Sequence, residues 1–375
     1  MVLRPNFAKH TANQNENHPP ARTLNSKALV SRIQSSLHDT SHRRRSRISG
    51  MTRTPKYAVE QAKRRNTNKA KTSLRFNVTT VPTLADVEMA DGSSTSSVPR
   101  PRAFPISLPK ELGRPDFKEI NREIIDAVDP TLAETDLDYL RENLEVLGPE
   151  LIQSLSNVKV NAVKDKLPKE LTIVVNDMTT ILPTHLLAVF GKQSNNASSS
   201  KPRKVTLFPV HSLVLATTCA NLPKPPSALP VPVHETGHQE AELPVWSLCL
   251  PSPVTYPQLS TYLYTKQINH LMRSMLPCMP PPAFLENPSQ LVAFATHLSA
   301  TFTIQALVKH IFAVHGLWQN VCALGIFDSI LWEAMDLMWQ TLLTALAIAT
   351  GNPNMMIPPP AEEVPQSSSL TVNSS

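Results

Sequence analysis

Net charge changes sign about a quarter of the way along this chain, and that change limits how much of it can share one core. The first 100 residues carry 18 Lys and Arg against 6 Asp and Glu, a net of +12, whereas residues 101–375 carry 18 against 24, a net of −6. The basic side chains concentrate in Arg43, Arg44, Arg45 and Arg47, then in Lys63, Arg64, Arg65, Lys69 and Lys71, with few apolar residues between them. Such a stretch cannot bury enough surface to offset the entropy of ordering it. Residues 1–104 are therefore predicted to be a disordered basic tail, and the folded chain is predicted to begin near residue 105.

Composition narrows the function classes. The 35 prolines are roughly twice the usual frequency and the 9 glycines well below it. A Rossmann or P-loop enzyme needs glycines at fixed spacing so that backbone N–H groups can approach a phosphate, and neither G-x-G-x-x-G nor G-x-x-x-x-G-K-[ST] occurs. The nearest string, Gly191-Lys192-Gln193, lacks the upstream glycine and the hydroxyl. No cofactor is expected.

The basic tail admits several readings. A charge run can be a solvated, solubilising segment. Two Lys/Arg clusters about 16 residues apart also suit a receptor groove that takes two extended basic segments, the physics of bipartite nuclear import. Nucleic-acid contact through the tail would be weak and salt-dependent, because Tyr57 is the only aromatic residue among the basic ones. A mitochondrial presequence is opposed by Pro19, Pro20 and the asparagine-rich start, and the chain opens without the apolar core of a secretory signal. Thr54-Pro55-Lys56 is a minimal proline-directed phosphorylation site, where added negative charge would weaken the tail's attraction for an acidic groove. Cys219, Cys249, Cys278 and Cys322 form no C-x-x-C and are expected to be buried small hydrophobes.

Beyond the tail the apolar pattern predicts an α+β, mostly helical fold. Phe117, Ile120, Ile124, Ile125 and Val128 share one helical face that starts at Asp116 and ends before Pro130. Thr135 to Asp138 opens a second helix through Leu140 and Leu147, expected to stop at Gly148 and restart at Pro149. Leu171–Val175 reads as a buried strand, and Val205 onward as a strand with a corner at Pro209 and a helix from Ser212. Loops are expected at 192–203 and 223–244, followed by a strand over 245–250 and a helix bearing Tyr256, Leu259, Tyr262 and Leu263. Helices over 289–299, 302–314 and 329–348 complete the body, the last apolar almost all round. That last helix reads either as core or as a face for an oligomer or partner; Asp328, Glu333 and Asp336 argue against a membrane span. The predicted organisation is 105–280 as an α/β interaction domain with its core at 171–276, 284–350 as a helical part packed on it, and 351–375 as a second disordered tail.

One string suggests metal chemistry. His234-Glu235-Thr236-Gly237-His238 matches H-E-x-x-H, in which two histidines one turn apart bind zinc and the glutamate polarises the bound water. Pro230, Pro232, Gly237 and Pro244 deny it the required helix, and no third ligand follows at zincin spacing, so a surface loop is expected and no metal. His185 and His211 stand at the starts of apolar segments and are expected to be structural, while His310 and His315 do not share a helix face. No G-x-S-x-G and no catalytic cysteine signature occur.

Two resemblances add to this reading. Phe208, His211, Leu215 and Ala216 followed by an apolar strand and the helix end Tyr262-Leu263-Tyr264-Thr265 resemble the centre of a BTB/POZ fold over some 60 residues, with the proline-rich loop as a departure. The segments 208–223 and 243–272, together with MTRTPKYAVEQAKRRN at 51–66, resemble the clampless-type regulators of basidiomycete fungi, over roughly residues 50 to 350. That family is associated with clamp-cell formation and the dikaryotic stage, downstream of mating-type homeodomain factors, and it brings no catalytic residues. The resemblance implies a non-enzymatic nuclear developmental regulator that engages transcription factors through protein contacts. The alternatives are a BTB-like dimeric adaptor recruiting a ubiquitin ligase or corepressor and, more remotely, a zinc hydrolase. Partners are expected to be proteins, with weak nucleic-acid contact through the tail, no membrane, and a homodimer left open.

Overall fold

The computed structural model describes residues 73–80, 102–160, 167–176, 181–192, 204–226, 231–233 and 240–357. Strands β1 (Ser73–Thr80) and β2 (Arg102–Pro109) form an antiparallel pair. Helix α1 (Arg122–Val128), helix α2 (Leu137–Ser156) and strands β3 (Val158–Val160) and β4 (Glu170–Val175) follow. Next come β5 (His185–Gly191), β6 (Val205–Val210), α3 (Ser212–Thr218), β7 (Val231–Val233) and β8 (Glu240–Leu250). The remainder is helical: α4 (Tyr256–Thr265), α5 (Ile268–Met275), α6 (Leu291–Thr301), α7 (Ile304–Leu324) and α8 (Ser329–Ala349). The protein is thus mixed α/β with a helical C-terminal part, as expected.

The second sheet runs β3-β4-β8-β5-β6, with β7 also on β8, and β8 organises it by changing partners midway. Glu240–Pro244 pairs antiparallel with β4, and Val245–Leu250 pairs parallel with β5. The switch falls at Pro244, which has no N–H to give to a ladder. Along β8 the odd residues Ala241, Leu243 and Val245 face a small core with Ile173, Val175 and Leu186, while Trp246, Leu248 and Leu250 face the main core. Period-two alternation therefore sends one strand into two cores. The sheet curls far enough that its outer strands β3 and β6 approach each other around the small core.

The main core is continuous from β1 to α8. Helix α8 is its axis: Trp332 and Trp339 are buried, and their indole N–H groups donate to the carbonyl oxygens of Ile326 (2.9 Å) and Pro109 (3.1 Å). The all-round apolar character of this helix is explained by burial in its own fold. No helix among the described residues is long and apolar enough to cross a membrane.

Several expectations are corrected. The predicted tail contains β1, whose Leu74, Phe76 and Val78 alternate inward onto the main core; alternation over so few residues went unread amid the basic stretch. Helix α1 starts late, because Asn121 caps it by accepting from Glu123 N (3.0 Å). Helix α2 runs unbroken through Gly148 and Pro149, capped by Asp136 rather than Thr135. Gly148 is required by packing: a Cβ there would drive into the Tyr264 carbonyl oxygen, where α2 crosses α4. Pro209 lies within β6 and makes no corner; the turn comes at His211. The expected 223–244 loop gives way to β7 and to β8 from Glu240, because Ala241 and Leu243 alternate into the small core. Helix α7 continues through Gly316 to Leu324 and is closed by Gly325 at φ 65°.

Candidate functional site

Three polar joints tie the sheet to the helices and the helices to one another. The expected structural role of His211 is observed. Its backbone N–H donates to Tyr264 Oη (2.8 Å), Nδ1 lies 3.3 Å from the same hydroxyl, and Nε2 lies 3.3 Å from the Ile181 carbonyl. A carbonyl can only accept, so Nε2 carries the proton, and the neutral ring accepts at Nδ1 from the Tyr264 hydroxyl. Burial holds this histidine down to a pKa of about 4, against the Ile181 carbonyl, which favours the charged form. His185 is also held to about 4 by burial; its Nδ1 lies 3.1 Å from Thr184 Oγ1, the atom that accepts from Ser212 N (2.8 Å).

The second joint uses the other tyrosine of the Tyr-Leu-Tyr-Thr segment. Tyr262 Oη donates to Asp328 Oδ2 (2.9 Å), Lys266 Nζ lies 3.5 Å from the same oxygen, and Asp328 Oδ1 caps α8 by accepting from Ile330 N (3.1 Å). Helix α4 is therefore pinned to the sheet corner by Tyr264 and to α8 by Tyr262. Asn320 makes a further joint, accepting from Ser252 N (3.0 Å) and donating to Ser252 O (2.7 Å) and Thr255 Oγ1 (3.0 Å). These groups are consumed by structure.

The open site lies along the second half of β8, at the margin of the main core. Past Val245 the odd residues of β8 are Ser247 and Cys249, both exposed, beside Phe190 of β5. They floor a solvent-open groove of about 740 Å³. Its walls are the turn after α3, from Ala220 to Pro223, the approach to α1, with Lys118 and Asn121, and Ile124 of α1 itself. Lys118 Nζ donates to Asn221 Oδ1 (2.8 Å) across the mouth. The lining offers apolar surface, two amides, a hydroxyl, a thiol and one ammonium group, with no imidazole or carboxylate among the described residues.

The groove follows a strand edge. Val245 N donates to Lys169 O (2.7 Å) at the end of the β4 ladder. From there to Leu250, β5 occupies one edge of β8 and no described strand occupies the other. An extended segment laid there would find backbone hydrogen bonds beside pockets for alternate side chains.

None of the candidate import residues (Arg43, Arg44, Arg45, Arg47, Lys63, Arg64, Arg65, Lys69, Lys71), the phosphorylation residue Thr54 or the metal residues (His234, Glu235, His238) falls among the described residues. Among the described residues no group of three or more His, Cys, Asp or Glu could hold a metal ion. The cysteines divide: Cys219 is buried with its thiol pushed up to about 12, burial likewise raises Cys322 to about 12, and Cys278 is half-buried. Cys249 is exposed, which corrects the expectation that all four are buried. Sequence reading missed the groove because β5 went unread: its first five residues are buried on both faces, so the run showed no alternation.

The family model described as the clampless protein 1 N-terminal domain matches residues 115–251, and that of the clampless protein 1 C-terminal domain matches residues 269–373. Two curated relatives, each named Clampless protein 1, come from the JEC21 and B-3501A strains of Cryptococcus neoformans var. neoformans serotype D. Each is 29% identical over 106 residues, which is 28% of this chain and 21% of the relative, so the match spans about a fifth of their length. No solved structure matches. The first model ends as β8 ends and the second begins within α5, so the two meet on either side of α4, the helix whose tyrosines join them. With both models matched in order and together covering more than half of its residues, the chain belongs to the clampless protein 1 family.

Proposed function

We propose that this protein is a non-enzymatic regulator of fungal sexual development, at clamp-cell formation and the dikaryon stage. It acts in the nucleus through protein contacts, with transcription factors as the partners and the basic tail as the import signal. Family membership supports the developmental role. The observation that carries the mode of action is the groove along the edge of β8 that no described strand occupies, whose lining suits the backbone and side chains of a bound segment.

The test is capture from nuclease-treated nuclear extract with the full chain and with its Cys249→Arg variant, which fills the groove. Transcription factors retained by the first and lost from the second are the expected result. Retention by both, or loss with moderate salt alone, would move the activity to the tail. Substituting Arg43, Arg44, Arg45 and Arg47 with Gln should abolish nuclear accumulation.

A second reading is a BTB-like dimeric adaptor that recruits a ubiquitin ligase or corepressor. The succession β5, β6, α3, β8 and α4, with the short β7 inserted before β8 and His211 closed on Tyr264, favours it. A homogeneous dimer that captures ligase subunits in place of transcription factors would put it first. The zinc hydrolase would be revived by one equivalent of bound zinc that is lost on His234→Ala.

A further inference from the structure

The backbone of β8 shows which groups its second half turns toward the groove. Val245 N donates to Lys169 O at 2.7 Å, so the N–H of this residue points to the edge that β4 covers earlier in the strand. Backbone direction alternates along a strand. The N–H and C=O of Ser247 and Cys249 therefore point to the same edge, while those of Trp246, Leu248 and Leu250 serve the parallel ladder with β5. Among the described residues no strand meets that edge at Ser247 or Cys249. Each of the two offers a donor and an acceptor, beside an apolar wall that includes Ile124, Leu222 and Leu248.

The charge of this place is one-sided. Among the described residues, Lys118 is the only charged side chain in the lining. Asn221 Oδ1 takes one of its three ammonium N–H donors at 2.8 Å and holds the side chain across the mouth. No carboxylate among the described residues pairs with it, and Glu119 and Glu123, which flank this stretch of chain, are exposed and outside the lining. In the open groove water serves the remaining donors. A segment that fills the groove displaces that water, and the covered ammonium then needs an acceptor from the segment itself.

We propose that the groove along β8 takes an acidic extended segment: a partner strand that pairs with the backbone of Ser247 and Cys249, sets apolar side chains against Ile124, Leu222 and Leu248, and delivers an aspartate or glutamate to Lys118. The proposal rests on the docking role given to the groove above and adds the chemistry of its occupant. Selectivity follows from the same residue. A basic segment would set its cation against Lys118, and a neutral one would leave the covered ammonium without a countercharge.

Fluorescein-labelled, end-capped heptapeptides of alternating threonine and valine, with aspartate, asparagine or lysine at the centre, test it by anisotropy against the full chain. The aspartate peptide should bind about 10-fold more tightly than the asparagine peptide, the scale of a charge-assisted hydrogen bond, and the lysine peptide should bind most weakly. Lys118→Met should erase the difference between aspartate and asparagine, and Lys118→Glu should invert the order in favour of lysine. Cys249→Trp, which fills the groove without adding charge, should remove binding, as should N-methylation throughout the peptide backbone, which deletes the ladder donors. Equal binding of the three peptides that is still lost with Cys249→Trp overturns the acidic occupant and leaves the docking groove standing. An aspartate preference that survives Lys118→Met overturns it too, and assigns the preference to the basic first 100 residues. Binding by none of the peptides, or binding indifferent to both Cys249→Trp and methylation, overturns the docking groove and this proposal with it. Should a variant fail to fold, wild type alone decides: the order aspartate, asparagine, lysine with the methylated aspartate peptide silent supports the proposal, and equal affinities or a methylated aspartate peptide that still binds overturn it.

Discussion

The main core and the small core differ in how they are closed. Around α8 the main core is sealed: Trp332 and Trp339 are buried, their N–H groups are bonded, and Leu331 to Ala347 is buried on nearly every face. The small core is five buried side chains between strands, and beyond it the same face of β8 turns from Leu243 to the exposed Ser247 and Cys249, where the groove takes its apolar wall from Ile124, Ala220, Leu222 and Leu248 at the margin of the main core. Both cores share β5 and β8, so the groove is mounted on a rigid block. The C-terminal helices supply stability, and the second half of β8 with α1 and the turn after α3 supplies open surface, the less tightly closed region in which a partner is received.

Two truncations would break this contrast if it is wrong. Trp332→Ala should cost about 4 kcal/mol in chemical denaturation, from lost burial plus the cavity left in a core with no room to collapse. Leu186→Ala should cost about 2 kcal/mol, near the low end for such changes, because a core of five buried side chains between strands can relax around the loss. Hydrogen exchange should show the second change confined to β3, β4 and the start of β8, with α8 still protected. Equal costs, or exchange that accelerates throughout, would mean that the two cores form one unit.

The contrast also explains what the sequence could reveal. Helix α8 was legible because its period is long and Asp328 marks its start, and α4 because Tyr256, Leu259, Tyr262 and Leu263 repeat at helical spacing. Strand β5 was not, since burial on both faces erases alternation, and Gly148 was misread because local rules treat glycine as a stop while its role is set by Tyr264, more than 100 residues away. The groove depends on where β8 loses the β4 partner, and pairing partners are a property of topology. His211 was legible as structural but its partners were not, for the same reason.

Acid should act on the sheet side first. His185 and His211 are held to about 4 by burial, below the ordinary 6.5. Between those values the unfolded chain takes up a proton that the folded chain refuses, so each contribution is complete above pH 6.5 and is lost as pH falls toward 4. The loss is about 3 kcal/mol per histidine at the lower end. Thermal unfolding from pH 7.5 to 4 should show it, and His211→Gln should be less stable at pH 7.5 yet flatter below 6. An unchanged slope would mean that His211 is not sealed as the Tyr264 joint requires. Tyr262→Phe should cost about 2 kcal/mol, the worth of a hydrogen bond to a carboxylate, and should loosen α4 from α8 without altering the sheet.

The smallest effect on stability belongs to the most exposed thiol. Cys249 stands on the groove floor, while burial raises the pKa values of Cys219, Cys278 and Cys322 and so starves each of thiolate near neutral pH. Alkylation followed by peptide mapping should therefore label Cys249 well ahead of the other three. Cys249→Ser should leave unfolding within about 0.5 kcal/mol of wild type, as a surface change does. The informative comparison is labelling with and without a captured partner. A segment laid along the edge of β8 that no described strand occupies would cover Cys249 and slow its alkylation while leaving Cys278 unaffected; equal rates at Cys249 in both states would place the partner elsewhere and leave the groove without the role assigned to it.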